Sequence, residues 1–313
     1  MFTKILVPLD GTPEAMAALA PAQTVATATG AAICLVQAIE SDGSGPDHAL
    51  ATADLEVMAR SLRHQSLQAS TSVRRGEPAT EIIVAAAELG ADLIAMTTHG
   101  RSGLSRAVLG SITQRVLAAS PTPVLLLRPG GHLMTRLDVI LVAVDGSLGG
   151  AHALASAVPL ARSVNARLVL VDVAVPYVAF MATSESGFGD GSLYVDPDWD
   201  KDALAAADLY VSGLAARLQN AGIRAEGRAI TGPALQASTS VAEAIMKTAD
   251  HIDADLIVMS THALTGPARA VLGSVADTVV RSAHRAVLLP RRGAAGDATE
   301  AHGADRDTVK AAP

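Results

Sequence analysis

The sequence predicts an α/β protein built from two tandem domains, each a doubly wound parallel sheet with helices on both faces. Three observations carry this prediction. Continuous apolar runs of six to nine residues alternate with longer stretches of helical periodicity, the pattern of strands buried on both faces and joined by crossover helices. The whole order of runs occurs twice along the chain. The length of 313 residues also suits two domains of ordinary size better than one.

In the first copy, apolar runs at 4–9, 31–39, 91–97 and 123–128 read as strands, and the less apolar STSVRR at 70–75 as one more. Helices are expected near 13–29, 47–68, 78–89 and 111–119. The second copy follows in two registers. KILVPLDGT at 4–12 matches DVILVAVDGS at 138–147 and GAAICLVQA at 30–38 matches NARLVLVDV at 165–173, both at an offset of 135. GADLIAMTTH at 90–99 matches DADLIVMSTH at 253–262 at an offset of 163, which holds through PVLLL at 123–127 and AVLLP at 286–290. The chain therefore divides into a domain at 1–129, a linker at 130–136, a second domain at 137–293 and a polar, aperiodic tail at 294–313 that is expected to be disordered. The runs VLLL and VLLLP would leave apolar edges exposed. Pairing Val124–Leu127 with Val287–Leu289 would hide both and make one chain a pseudo-dimer; a homodimer of chains is a further possibility.

Composition narrows the function. The net charge of −7 gives no electrostatic reason to expect nucleic acid or anionic membrane as a partner. Ala15 to Ile39 carries no charge over a length that could span a bilayer. Pro21, Gln23, Gly30 and Gln37 interrupt it, however, and its counterpart contains Arg162, Arg167 and Asp172. Helix, turn and strand is the expected reading. One cysteine, Cys34, in an apolar run excludes an intramolecular disulfide and fits a reducing, cytoplasmic setting. The chain contains no HExxH, no GxSxG and no GxxxxGK[ST], so zinc proteolysis, serine hydrolysis and P-loop phosphoryl transfer lack their motifs. A tandem phosphoacceptor receiver would need an acidic pair after the first strand; Asp10 has no acidic neighbour.

The most repeated segment lies beyond the fourth strand. THGRSGLSRAVLGS at 98–111 and THALTGPARAVLGS at 261–274 share nine of fourteen positions. Gly110-Ser111 opens a helix, with Ser111 expected as N-cap and Gln114 completing a capping box; Ser274 and Asp277 repeat the arrangement. A helix start attracts anions through its unpaired N–H groups and dipole. Gly100, Gly103 and Gly110 allow close backbone approach, and Arg101 and Arg106 add charge. His99 and His262 recur here; a structural hydrogen bond to the loop is the preferred reading over a general acid. The insert at 175–200 holds five of seven aromatics, Tyr177, Phe180, Phe188, Tyr194 and Trp199. Either a lid or contact surface, or a loop folded on its own domain, accounts for them.

The run MTTHGRSGLSRAVLGSITQRVL, with LVPLDG near the start and PVLLL closing the copy, resembles the universal stress protein family, and two such units resemble its tandem members. That resemblance covers roughly 1–128 and 137–290. It implies domains of strand order 3-2-1-4-5, a nucleotide pattern G-x-x-G-x9-G-[S/T] and dimers formed through last strands. It further implies ATP with Mg2+ as a regulatory or sensing ligand, with slow hydrolysis at most. Asp10 would lie near the ribose and the metal, Pro8 and Leu9 at the base, and the Ala38 backbone at the adenine edge. Gly100, Gly110, Ser111 and Ile112 would wrap the phosphates, with Met96, Thr97, Arg101 and Gly103 completing the set. The second-copy counterparts are Asp145, Val173, Met259, Ser260, Gly266, Gly273, Ser274 and Val275. Two departures count against the pattern: its first glycine is Thr97 in one copy and Ser260 in the other, and Gly100 becomes Ala263, with Leu264 in place of Arg101. A nucleotide-independent scaffold acting through protein partners is the competing reading.

Overall fold

The computed structural model describes residues 1–39, 47–98, 109–174, 199–231, 237–261 and 272–291. The first copy runs β1 (Lys4–Pro8), α1 (Pro13–Met16), α2 (Leu19–Thr29), β2 (Ala32–Ile39), α3 (His48–His64), β3 (Ala69–Arg75), α4 (Pro78–Glu88), β4 (Leu93–Thr97), α5 (Ser111–Ala119) and β5 (Val124–Leu127). The second repeats it with β6 (Val139–Ala143), α6 (Leu148–Val164), β7 (Arg167–Ala174), α7 (Trp199–Asn220), β8 (Ala225–Thr231), α8 (Ala237–His251), β9 (Leu256–Val258), α9 (Ser274–Ser282) and β10 (Ala286–Leu289). The tail, most of the 175–200 insert and the two loops carrying His99, Gly100, Arg101, Gly103 and Arg106, and His262, Ala263, Leu264 and Gly266, lie outside the described residues.

All ten strands form one sheet in the order β3-β2-β1-β4-β5-β10-β9-β6-β7-β8. Each half has the order 3-2-1-4-5 within itself, and all its pairings are parallel. The halves meet through the antiparallel pair β5·β10, with Leu126 opposite Val287, Leu125 opposite Leu288 and Val124 opposite Leu289. The edge pairing expected from VLLL and VLLLP is thus present, and every residue of both strands is buried.

Because side chains alternate along a strand, the sheet has two apolar faces. Ile5, Val7, Ile33, Leu35, Leu168 and Leu170 join one core, under α2, α3, α6 and α7. Leu6, Cys34, Val36, Leu141 and Val169 join the other, under α4, α5, α8 and α9. Each core runs unbroken through both copies.

One local expectation needs correction, and another holds. The helix expected over 13–29 is divided into α1 and α2 by a turn at Ala17–Ala18. Pro21 has no N–H to give Ala17, and its ring crowds the carbonyl four residues back. The charge-free stretch is α2, a left-handed turn at Gly30 and β2; no helix among the described residues is long and apolar enough to cross a membrane.

The repeated ADL sequence has a structural task. The Asp92 carboxylate accepts from Thr3 N at 2.8 Å, Thr3 Oγ1 at 2.7 Å and Lys4 N at 3.0 Å, tying the entry of β1 to that of β4. Asp255 repeats this with Asp138 N at 2.8 Å and Val139 N at 2.9 Å. It also accepts from Arg136 Nε at 3.1 Å, which draws the linker onto the second copy. Asp255 is buried, so Asp255→Ala removes the acceptor of the half-buried Asp138 and Val139 amide bonds and of Arg136. A loss of about 2–4 kcal/mol is expected in urea denaturation, against a much smaller loss for the exposed pair partner in Asp253→Ala.

Candidate functional site

In a doubly wound sheet the ligand crevice lies past the carboxyl ends of the strands, where strand order reverses. Here that point falls between β1 and β4 in one copy and between β6 and β9 in the other. The described site residues collect there. β1 continues into Leu9 and Asp10, and β4 into Thr97 and Thr98.

Asp10 is held by its own turn. Its Oδ1 accepts from Thr12 N at 3.0 Å and Thr12 Oγ1 at 2.6 Å, while Thr12 Oγ1 caps α1 by accepting from Ala15 N at 3.2 Å. Gly11 makes this possible by adopting φ +82°. The second copy matches it: Asp145 Oδ1 accepts from Ser147 N at 3.0 Å and Ser147 Oγ at 2.5 Å, and Ser147 caps α6 through Gly150 N. Leu9 turns a buried side chain into the core and donates its amide to Val36 O at 2.8 Å. It therefore offers the crevice backbone rather than side chain. Pro8 is half-buried at the end of β1.

Ala38 stands two positions beyond the last β1·β2 partner, Pro8 opposite Val36. Ala32 donates to Thr3 O and Val36 accepts from Leu9 N, whereas Ile33 and Ile39 bond towards the β3 side. This alternation turns the Ala38 peptide group towards the crevice. Val173 has the same register past Val144, whose amide donates to Val171 O.

The helix start is tied to the end of β4. Thr98 donates its amide to Leu127 O at 3.0 Å and accepts from Gly110 N at 2.8 Å, and Thr113 Oγ1 donates to Thr97 O at 3.0 Å. The loop that leaves β4 thus returns to within a residue of where it began. The expected capping box is absent. Gly110, with φ −58° and ψ 143°, is the N-cap, Ser111 is already helical, and no side chain caps the helix. Gly273 likewise caps α9 without a side-chain bond, displacing Ser274 from that position. The cause is the backbone: an N-cap needs extended dihedrals, and the glycine bonded to the preceding strand takes them. The Gly110 amide is consequently engaged, and the amides at the start of α5 left without an intrahelical acceptor are those of Ser111, Ile112 and Thr113. Ser111 is exposed and Ile112 half-buried. Met96 and Thr97 are buried in and beside the core, as is Met259. The loop glycines and Arg101 fall outside the described residues.

The copies differ in two places that the repeat alignment exposes. Thr113 is replaced by Ala276, which has no hydroxyl to repeat the Thr113 bond, while the backbone tether recurs as Gly273 N to Thr261 O at 2.7 Å. Gln37, buried, is replaced by Asp172. Burial, and then the charge of Asp145, push the Asp172 carboxyl up to about 6, against a hydrogen bond from the Val173 backbone. Tyr210 of α7 stands beside this pair, its phenol raised by burial and by Asp172. Sequence reasoning missed Gln37, Thr98, Thr113, Asp172 and Tyr210. Offsets of 135 and 163 displayed the Gln37/Asp172 and Thr113/Ala276 exchanges; Tyr210, in a helix that follows the insert, had no such signal.

Comparison with known proteins agrees with this architecture. The model of the universal stress protein family matches residues 1–128 and again 137–291. A universal stress protein of Thermus aquaticus, encoded in the QAH/OAS sulfhydrylase 3' region, is 37% identical over 140 residues, covering 41% of this chain and 100% of that protein. The universal stress protein YxiE of Bacillus subtilis is 31% identical over 148 residues, again 41% of this chain and 100% of its own. Among solved structures, a universal stress protein from Archaeoglobus fulgidus superposes with a TM-score of 0.67 at 23% identity, covering 93% of this chain and 98% of its own; that likeness is one of fold. With a family match over each repeat and a helix start fastened to the fourth strand in both, the chain belongs to the universal stress protein family, as a member carrying the domain twice.

Proposed function

We propose that this stress protein binds an adenine nucleotide, ATP with Mg2+, through its first copy as a regulatory ligand, with slow hydrolysis at most, and that the second copy serves chiefly as a structural partner. The observation that carries this reading is the uncapped start of α5, held by Gly110 at the end of β4. Outward amides and the positive end of the helix dipole favour an oxyanion there. Asp10, fixed by Thr12, supplies one carboxylate, and phosphate oxygens beside a single carboxylate are an ordinary Mg2+ donor set. The turned Ala38 peptide offers a donor and an acceptor to a base edge. Gly100, Arg101 and Gly103 would close over the phosphates.

The second copy fits such a ligand poorly. Asp172 beside Asp145 adds negative charge where the first copy has a neutral Gln37, and Ala263 replaces the loop glycine. The scaffold reading draws support from Thr97, buried in the position of the pattern's first glycine. The two readings differ in what acid extraction of the purified protein releases. The nucleotide reading expects adenine nucleotide and calorimetric heat on titration with Mg-ATP; the absence of both leaves the scaffold.

Gly110→Asp separates ligand loss from misfolding. Gly110 already has dihedrals that aspartate accepts, and an aspartate there caps α5 with its own charge. Affinity for ATP is expected to fall at least ~10-fold, with the thermal midpoint unchanged or raised, while Gly273→Asp leaves binding as it was. A Gly110→Asp protein with undiminished affinity would remove α5 from the site.

The Asp172 carboxyl yields a second test. Its folded pKa of about 6 exceeds the ordinary 3.8, so the folded state holds the extra proton between those values and stability falls as pH rises through that window. Asp172→Asn is therefore expected to stabilise the protein at pH 7.5 by on the order of 1 kcal/mol, after discounting for partial exposure, and to have no effect at pH 3.5. Urea denaturation at the two pH values reads the difference.

A further inference from the structure

The sheet ends in two edge strands, β3 in the first copy and β8 in the second. Ile33 N donates to Gln68 O and Leu168 N to Arg224 O. Peptide groups alternate in direction along a strand, so those of Ala69, Thr71 and Val73, and of Ala225, Gly227 and Ala229, face outward. Among the described residues no strand pairs with either row. Such rows invite association, and proteins commonly guard them with charged side chains.

The first copy guards its edge from α3. Arg63 Nε donates to Ala69 O at 2.9 Å, and Glu56 accepts from Arg63 Nη1 at 2.5 Å and from Thr71 Oγ1 at 3.4 Å. Arg60 Nε reaches Glu56 O at 3.3 Å. In the second copy this guard is gone. The pair Ile33–Ala69 recurs as Leu168–Ala225, and the offset of 156 between the edge strands also sets core residues Leu55 and Ala59 over Val211 and Ala215. At that offset Glu56 becomes Ser212, Arg60 becomes Ala216, Arg63 becomes Gln219 and Thr71 becomes Gly227. Gln219 Nε2 still bonds Ala225 O at 2.7 Å. Ser212 and Ala216, seven and three residues before Gln219, share its side of α7 and are small and exposed. Packing accounts for Gly227, where a Cβ would stand 2.6 Å from the backbone of Val211. It does not account for the exchange of three charged residues at the exposed positions.

The side chains of β8 decide what this bare edge fits. Glu226 and Arg228 flank Gly227 and are half-buried. Glu226 accepts from Arg167 Nη1 at 3.1 Å and Arg228 Nε at 3.0 Å in its own chain, which fixes both heads beside the edge. Antiparallel pairing about a two-fold axis at Gly227 sets Glu226 opposite the second chain's Arg228, and Arg228 opposite the second chain's Glu226. Gly227 and the 225/229 pairs then exchange N–H···O bonds across the axis. This self-complementarity selects a second copy over an arbitrary extended peptide. The edge β3, ASTSVRR, carries two arginines and no acidic residue, so it has no such match with itself.

We propose that β8 is a dimerisation edge, through which two chains pair antiparallel about a two-fold axis at Gly227 and join their sheets into one. The proposal is independent of nucleotide binding.

Sedimentation equilibrium of the full chain over a dilution series tests it. Twice the chain mass is expected at the concentrated end. Ala229→Pro removes an outward N–H and leaves the pairing with β7 in place; the mass is expected to fall twofold. Ser212→Glu combined with Ala216→Arg transplants the guard of the first copy onto exposed positions of α7. It is expected to halve the mass as well, and decides the matter should Ala229→Pro fail to fold. A single-chain mass throughout the series overturns the proposal. A dimer that persists undiminished in either folded variant places the interface elsewhere and overturns it too.

Discussion

The molecule depends on the pairing of β5 with β10. Each copy ends in a short strand whose residues are apolar on both faces, and neither copy alone could expose such an edge without inviting association. Antiparallel pairing of Val124–Leu126 with Val287–Leu289 satisfies both edges within one chain and merges the helices on each side into shared cores. The remaining contacts between the copies follow from it. His132 N reaches His284 O at 2.6 Å, Gly131 lies so close to the His284 carbonyl that a side chain would not fit, and Thr24 Oγ1 meets Met134 O at 2.8 Å. The linker is therefore packed into the seam rather than strung across it.

Much of the fold was legible because its signals are local and repeated. Buried parallel strands read as continuous apolar runs, and the second copy confirmed each of them independently. Edge pairing could be inferred since VLLL has no polar face to show to water. The broken helix at Ala17 was less legible: Pro21 was visible, but a proline in the first turn of a helix is unremarkable, and only the structure shows which turn it opens. The cap was misread for a related reason. Serine is the better N-cap by preference, yet the hydrogen bond between Gly110 and Thr98, twelve residues apart, decides which residue takes the extended dihedrals. Preferences of single residues do not carry that information.

The candidate site was legible as a set of positions and not as a set of roles. Asp10 follows β1, Ala38 lies near the end of β2, and the start of α5 is tied to the end of β4. Leu9 reaches the switch point only by its backbone, and the Gly110 amide is occupied by the protein itself. The acidic pair of the second copy lay in plain view in the alignment of VQA with VDV. Its meaning required the fold, which sets Asp172 against Asp145 and under Tyr210. On the reading proposed above, duplication followed by such exchange released the second unit from the constraint of a binding crevice while the sheet still required it.

Antiparallel joining also gives the molecule two poles. Strands of the first half all point one way and those of the second half the other, so the crevices open at opposite rims, separated by roughly the 17–26 Å length of five to eight extended residues. No single small ligand can touch both. Whatever two small ligands, one at each rim, communicate must pass through the shared cores.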